Sequence, residues 1–117
     1  MPSIRDLVAA IRQRDGVDAA IVLGRDGLLI DSQLAPGLDA EDIAARIPAI
    51  IGAADELGSA TSRGDLRTAV LEHQNGLAIV SVLSGDAILL VLLTPHANIG
   101  QLLFELRRNR EHIAALV

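Results

Sequence analysis

The chain has no cysteine, no lysine, no tryptophan and no tyrosine, and Phe104 is its only aromatic residue. Each absence removes a class of explanation. Without cysteine there is neither a disulfide framework nor a thiolate metal site. Without lysine the phosphate-cradling pattern G-x-x-x-x-G-K-[ST] cannot be written, so nucleotide binding of that kind is not expected. Without aromatic rings, the half of the sequence that is hydrophobic must build an aliphatic core of Leu, Ile, Val and Ala. All ten basic residues are arginines, a usage that suggests a GC-rich bacterial genome. The net charge of -5 argues against a nucleic-acid surface, which needs clustered cations in excess.

At 117 residues the chain suits a single domain, read here as spanning 1–117. Mean hydropathy is +0.41, and the stretch 77–94 is long enough to invite a membrane reading. Ser84-Gly85-Asp86 lies in the middle of that stretch, where a charge is most costly in lipid, so a turn between two strands is the better account. No secretory leader is read before the first amphipathic segment, and the expectation is a soluble, cytoplasmic protein without membrane insertion.

Residues 77–83 and 87–94 lack polar alternation, so both faces of these strands should be covered. Hairpin-built sheets usually leave one face wet; here helices must lie on both. Ser3 and Asp6 have capping-box spacing ahead of Ile4, Leu7, Val8 and Ile11 at helical spacing. Residues 17–23 and 28–32 read as strands around Arg25-Asp26-Gly27, and the loop at 33–38 contains Pro36-Gly37.

Asp39 opens the longest helix, to about Ala60, with Ile43, Ile47, Ile50, Ala54 and Leu57 at near-heptad steps. Pro48 interrupts its hydrogen bonding and should bend it. Many of its residues are small, which permits close approach of another backbone. Residues 66–73 form a polar strand suited to a sheet edge, and Asn75-Gly76 is the expected hairpin turn. Asn98 or a neighbour caps a last helix with Ile99, Leu102, Leu103, Leu106, Ile113 and Leu116 as its apolar stripe. The predicted order is αββαβββα, an α/β (α+β) fold.

The chemistry-bearing residues do not assemble into a motif. His73, His96 and His112 fall on a strand end, a loop and a helix, at no ligand spacing. There is no nucleophile elbow, and Ser81 and Ser84 belong to a hairpin. The acidic groups Asp39/Glu41/Asp42 and Asp55/Glu56 read as a helix N-terminus and a helix surface. No catalytic residue, metal ligand or cofactor site is expected, and the chain is not read as an enzyme.

With these residues in place, the sequence resembles the roadblock/dynein light chain 7 superfamily, and within it the bacterial MglB-like members. The likeness covers nearly the whole chain and rests on several short stretches. These are Gly16-Val17, Asp26-Gly27-Leu28, the Ala-rich long helix, Asn75-Gly76 and Ala97-Asn98-Ile99-Gly100, the last followed by Leu102-Leu103 and Glu105-Leu106-Arg107. It implies a five-stranded antiparallel sheet with helices 1 and 3 on one face and helix 2 on the other. It also implies a homodimer joined by edge-to-edge pairing of the third strands, with the second helices side by side, and a small Ras-like GTPase as partner, regulated or scaffolded. The sequence stops at Val117 without the extended C-terminal region that some of these regulators carry, so GTPase binding is implied more firmly than activation.

The expected dimer interface comprises Ile47, Ile50, Ile51 and Ala54 with Ala69 and Leu71. Arg46 and Arg63 are the candidate partner-binding side chains. The alternative reading is a structural adaptor that joins a kinase or motor-type complex without touching a GTPase.

Overall fold

The computed structural model describes residues 3–116. Its elements are α1 (Ile4–Arg12), β1 (Val17–Gly24), β2 (Leu29–Leu34), α2 (Ala40–Ala60), β3 (Thr68–His73), β4 (Gly76–Val82), β5 (Ala87–Leu93), α3 (Ile99–Arg108) and α4 (Arg110–Ala114). The strands form one antiparallel sheet in the order β2-β1-β5-β4-β3, so β2 and β3 are its edges.

Alternation along the strands sends side chains to two separate cores. Ala20, Val22, Ile79, Leu89, Val91 and Leu93 pack with Val8 and Ile11 of α1, Leu102 and Leu106 of α3, and Ile113 of α4. Ile21, Leu23, Ala78, Val80, Ile88 and Leu90 pack with Ala44, Ile47 and Ile51 of α2. The predicted layering, first and last helices on one face and the second on the other, is the observed one. On β5, Val91 and Leu93 serve the first core while Ile88 and Leu90 serve the second, which is why its sequence shows no polar alternation.

The caps read from the sequence form. Ser3 Oγ accepts from the Asp6 amide at 3.2 Å and Asp6 Oδ2 accepts from the Ser3 amide at 3.0 Å, closing the capping box. Asp39 accepts from the amides of Glu41 and Asp42, and Asn98 from that of Gln101. α2 is continuous through Pro48. Its ring lies against the β1–β2 turn, where Gly27 adopts φ +88° and a Cβ would sit 3.2 Å from Pro48 Cγ.

Two expectations are corrected. The last helix is not continuous to Leu116: it breaks at Asn109 into α3 and α4. The Asn109 backbone N–H makes the last regular bond of α3, to the Glu105 carbonyl at 3.0 Å, and its side-chain Nδ2 donates to the same carbonyl at 2.9 Å, a local side-chain bond of the kind that competes with helix continuation. Ile113 still reaches the first core across the break. The β3–β4 connection is also shifted. His73 pairs with Gly76, so the turn residues are Gln74 and Asn75, and Gly76 begins β4. Gly76 serves a close approach, since a Cβ there would lie 2.8 Å from the Leu93 carbonyl oxygen.

The C-terminus of α2 closes as a Schellman turn. The Arg63 amide donates to the Gly58 carbonyl at 2.7 Å and the Ser62 amide to the Ser59 carbonyl at 3.2 Å. Ser62 occupies the left-handed position, φ 58°, that glycine usually takes. Gly58 is packed so tightly that a Cβ would fall 1.8 Å from the Gly64 carbonyl oxygen. Ser62→Gly should therefore stabilise the chain by about 0.5–1 kcal/mol through relief of the left-handed strain. Gly58→Ala should destabilise it by about 2 kcal/mol, because backbone must move to admit the methyl. Urea unfolding of the two variants beside the wild type checks both signs.

Candidate docking surface

α2 divides into two faces. Ala44, Ile47 and Ile51 are buried against the sheet, with Ile43 and Ile50 partly so. The opposite face exposes Ala45, Ala49, Gly52 and Ala53. A Cβ built at Gly52 meets nothing within 4 Å, so nothing in this chain requires a small residue there. Leu57 is 66% exposed on the same helix.

The neighbouring sheet edge is open. β3 pairs only with β4. The Arg67 carbonyl accepts from the Val82 amide at 2.9 Å, so odd-numbered residues of this strand bond inward to β4. Alternation then turns the N–H and C=O groups of Thr68, Val70 and Glu72 toward the free edge. Val70, 41% exposed, sits at the middle of that edge on the α3 side, opposite Ile79. Ala69 and Leu71 project to the α2 side and are half-buried against the second core.

The sequence-predicted site residues therefore separate into groups. Ile47 and Ile51 are 4% and 3% exposed and are consumed by the chain's own core, so their side chains are not free for contact between chains. This corrects the assignment of the helix face: Ala44, Ile47 and Ile51 face the sheet and Ala45, Ala49, Gly52 and Ala53 point outward, whereas of the near-heptad stripe only Ile47 is buried and Leu57 is exposed. Ile50 and Ala54 lie half-buried at the flank of α2, and Ala69 and Leu71 lie half-buried beside them on β3. Val70, Ala45, Ala49, Gly52 and Ala53 were not among the expected interface residues. Their signal was present, as small residues recurring three and four apart and a valine at the centre of a polar strand.

Arg46 is exposed on the outer face of α2 and paired with Asp42 one turn away, Nη2 to Oδ1 at 3.2 Å. The hydrogen bond and the charge of Asp42 hold the Arg46 guanidinium above its ordinary pKa. The pair is fully solvated and carries little stability. Arg63 is distant from it in the sequence and in role: its amide closes the Schellman turn and its Nη1 donates to the Thr61 carbonyl at 3.0 Å. The segment after it is tied to α2 by Asp55, which accepts from the Leu66 amide at 2.7 Å and from Arg25 Nη2 at 3.1 Å. Among the described residues no three His, Asp or Glu side chains group to hold a metal ion, and no helix is long and apolar enough to cross a membrane.

Comparison with known proteins places this geometry. Two uncharacterised proteins of Methanocaldococcus jannaschii are 32% and 33% identical to the chain over 106 residues, 91% of this chain and 92% and 89% of theirs. A crystal structure of a Roadblock/LC7 domain from Streptomyces avermitilis superposes with a TM-score of 0.82 at 25% identity, covering 96% of this chain and 95% of that one. Myxococcus xanthus MglB shares the fold at a TM-score of 0.87 and 11% identity, over 97% and 93% of the two chains. The gliding protein MglB of Thermus thermophilus does so at 0.82 and 15%, over 95% and 85%. The family model for the Roadblock/LC7 domain matches residues 4–94, and the chain belongs to that family.

Proposed function

We propose that this chain is a homodimeric regulator or scaffold of a small Ras-like GTPase. The observation that carries the reading is the open β3 edge beside an α2 face of small, exposed residues. Family membership and the shared fold with MglB proteins support it.

Pairing of β3 with a second copy has a preferred register. Residues opposed in an antiparallel pair point to the same face, so a two-fold pairing must be centred on a residue. Centring on Val70 opposes Val70 to itself and Ala69 to Leu71, matching apolar groups on both faces. Centring on Leu71 would set Val70 against Glu72, and centring on Ala69 would set Leu71 against Arg67. The axis is perpendicular to the sheet, so the two α2 helices come to lie on one side of a ten-stranded layer. Ala45, Ala49, Gly52 and Ala53 then furnish a shallow platform with little side-chain entropy to lose on binding. A GTPase seated there would have its own switch loops ordered by the platform, with Arg46 at the rim.

Two measurements test this. Light scattering coupled to size exclusion should give about twice 12.3 kDa for the wild type. Val70→Asp sets two like charges directly opposite each other and should give monomers that remain folded, because Val70 is at the surface. A Ras-like GTPase encoded beside this gene should bind the dimer, and its single-turnover GTP hydrolysis should change on addition of the dimer. A dimer that binds no such GTPase in either nucleotide state would leave the adaptor role in its place.

A further inference from the structure

At the end of the sheet opposite the β3–β4 turn, a cleft of about 600 Å³ opens between the C-terminus of α2, the start of β3 and the α3–α4 junction. Four arginines converge on it, Arg63 and Arg67 from the α2–β3 connection and Arg107 and Arg110 from α3 and α4. That is four of the ten cations of an acidic chain. Asp65 is the one carboxylate on its lining. The ion pairs among the described residues are Arg14–Glu105, Arg25–Asp55 and Arg46–Asp42, so none of the four guanidiniums has a carboxylate partner.

One member, Arg110, is anchored in the fold. Arg110 Nη1 donates to the Val82 carbonyl at 3.1 Å and Nη2 to Thr68 Oγ1 at 2.9 Å, which fixes its planar fork at the inner end of the cleft. Burial, followed by the charges of Arg67 and Arg107, lowers the Arg110 pKa from its usual value. Four guanidiniums gathered around a single carboxylate, Asp65, leave a net positive field that a ligand's negative groups relieve on arrival.

We propose that this cleft binds an acidic segment of a partner protein, one that carries aliphatic side chains among its carboxylates. The carboxylates match the guanidiniums of Arg67 and Arg107, which suit planar, bidentate recognition, while Arg110 and Arg63, partly engaged with backbone and Thr68, add charge. The aliphatic requirement comes from Ala54, Leu57 and Leu66 on the same lining, with Leu57 66% exposed. An inorganic polyanion would leave that apolar surface wet. A second copy of this chain is a poorer occupant. The pairing centred on Val70 sets Glu72, His73 and Gln74 of the second copy along Thr68, Arg67 and Leu66, so that copy borders the cleft on its β3 side and brings one carboxylate, too few for four arginines.

The test uses the full chain and a fluorescein-labelled peptide of repeated Glu-Asp-Leu, followed by fluorescence anisotropy. Saturable binding is expected at low salt, falling steeply at about 0.5 M salt as the charges are screened. Arg67→Glu and Arg107→Glu, both at exposed positions, should each weaken binding about tenfold, and Leu57→Ser a few-fold. Arg5→Glu, the same change of charge on exposed α1 surface, should leave it within about twofold. The proposal is overturned if Arg5→Glu weakens binding as much as Arg67→Glu, or if the peptide does not saturate. It is equally overturned if tripolyphosphate binds and the peptide does not. Arginine variants that lose the dimer while the wild type ignores the peptide would assign the cleft to the second copy instead. None of these outcomes depends on whether a GTPase binds the α2 platform.

Discussion

The structure depends on burying an aliphatic sheet from both sides. β1 and β5 carry almost no polar side chains, and Ile21, Val22, Leu23, Ile88 and Leu89 are sealed from solvent. Burying each such side chain stabilises the fold by roughly 1.5–3 kcal/mol, provided a complementary surface covers it. With no aromatic side chain in either core, coverage comes from many small contacts. α2 has to spend Ala44, Ile47 and Ile51 on one face, while α1, α3 and α4 cover the other. Whatever the molecule offers to partners is what remains after that covering is complete.

This constraint explains what was legible in the sequence. Unbroken apolar runs at 77–83 and 87–94 announced two-sided burial, and helical periodicity with capping residues located the helices, so element order and layering followed. The orientation of α2 was harder to read. A 21-residue helix rich in Ala and Ile has apolar character all round, and periodicity alone does not tell an inward isoleucine from an outward one. The sheet decides that, by placing Ile21, Val80 and Leu90 under Ile47 and Ile51. The break at Asn109 was hidden for a different reason. Ile113 keeps the stripe's direction across it, so the pattern of apolar residues hardly registers the change. Gly76 misled because Asn-Gly is a strong turn signal, whereas the close Leu93 carbonyl is a long-range constraint with no local signature.

The charge distribution is uneven in a way that composition conceals. A chain of net charge -5 keeps Asp39, Glu41 and Asp42 at the start of α2, where the helix dipole favours them. Four arginines gather at the far end, around the Schellman turn and the α3–α4 junction. Asp55 ties the arginine-bearing connection to the rest of the fold. By accepting from Leu66 and Arg25 it holds both the first hairpin and the α2–β3 connection against the helix. The connection that carries Arg63 and Arg67 is thus fixed at both its ends, by the tight Gly58–Gly64 contact at one and by Asp55 at the other.

A division of labour follows from the two faces of α2. Because Ile47 and Ile51 are committed to the chain's own sheet, what the second face leaves exposed is the strand edge and the small residues of α2. An edge built from Thr68, Val70 and Glu72 is polar enough to persist unpaired in water, unlike a long hydrophobic edge, which would aggregate. Its one apolar member sits at the centre, where a two-fold axis would oppose it to itself. A register displaced by one residue to either side would set Val70 against Thr68 or Glu72, so the same short sequence that keeps the edge tolerable in isolation would also favour the centred pairing over its nearest neighbours.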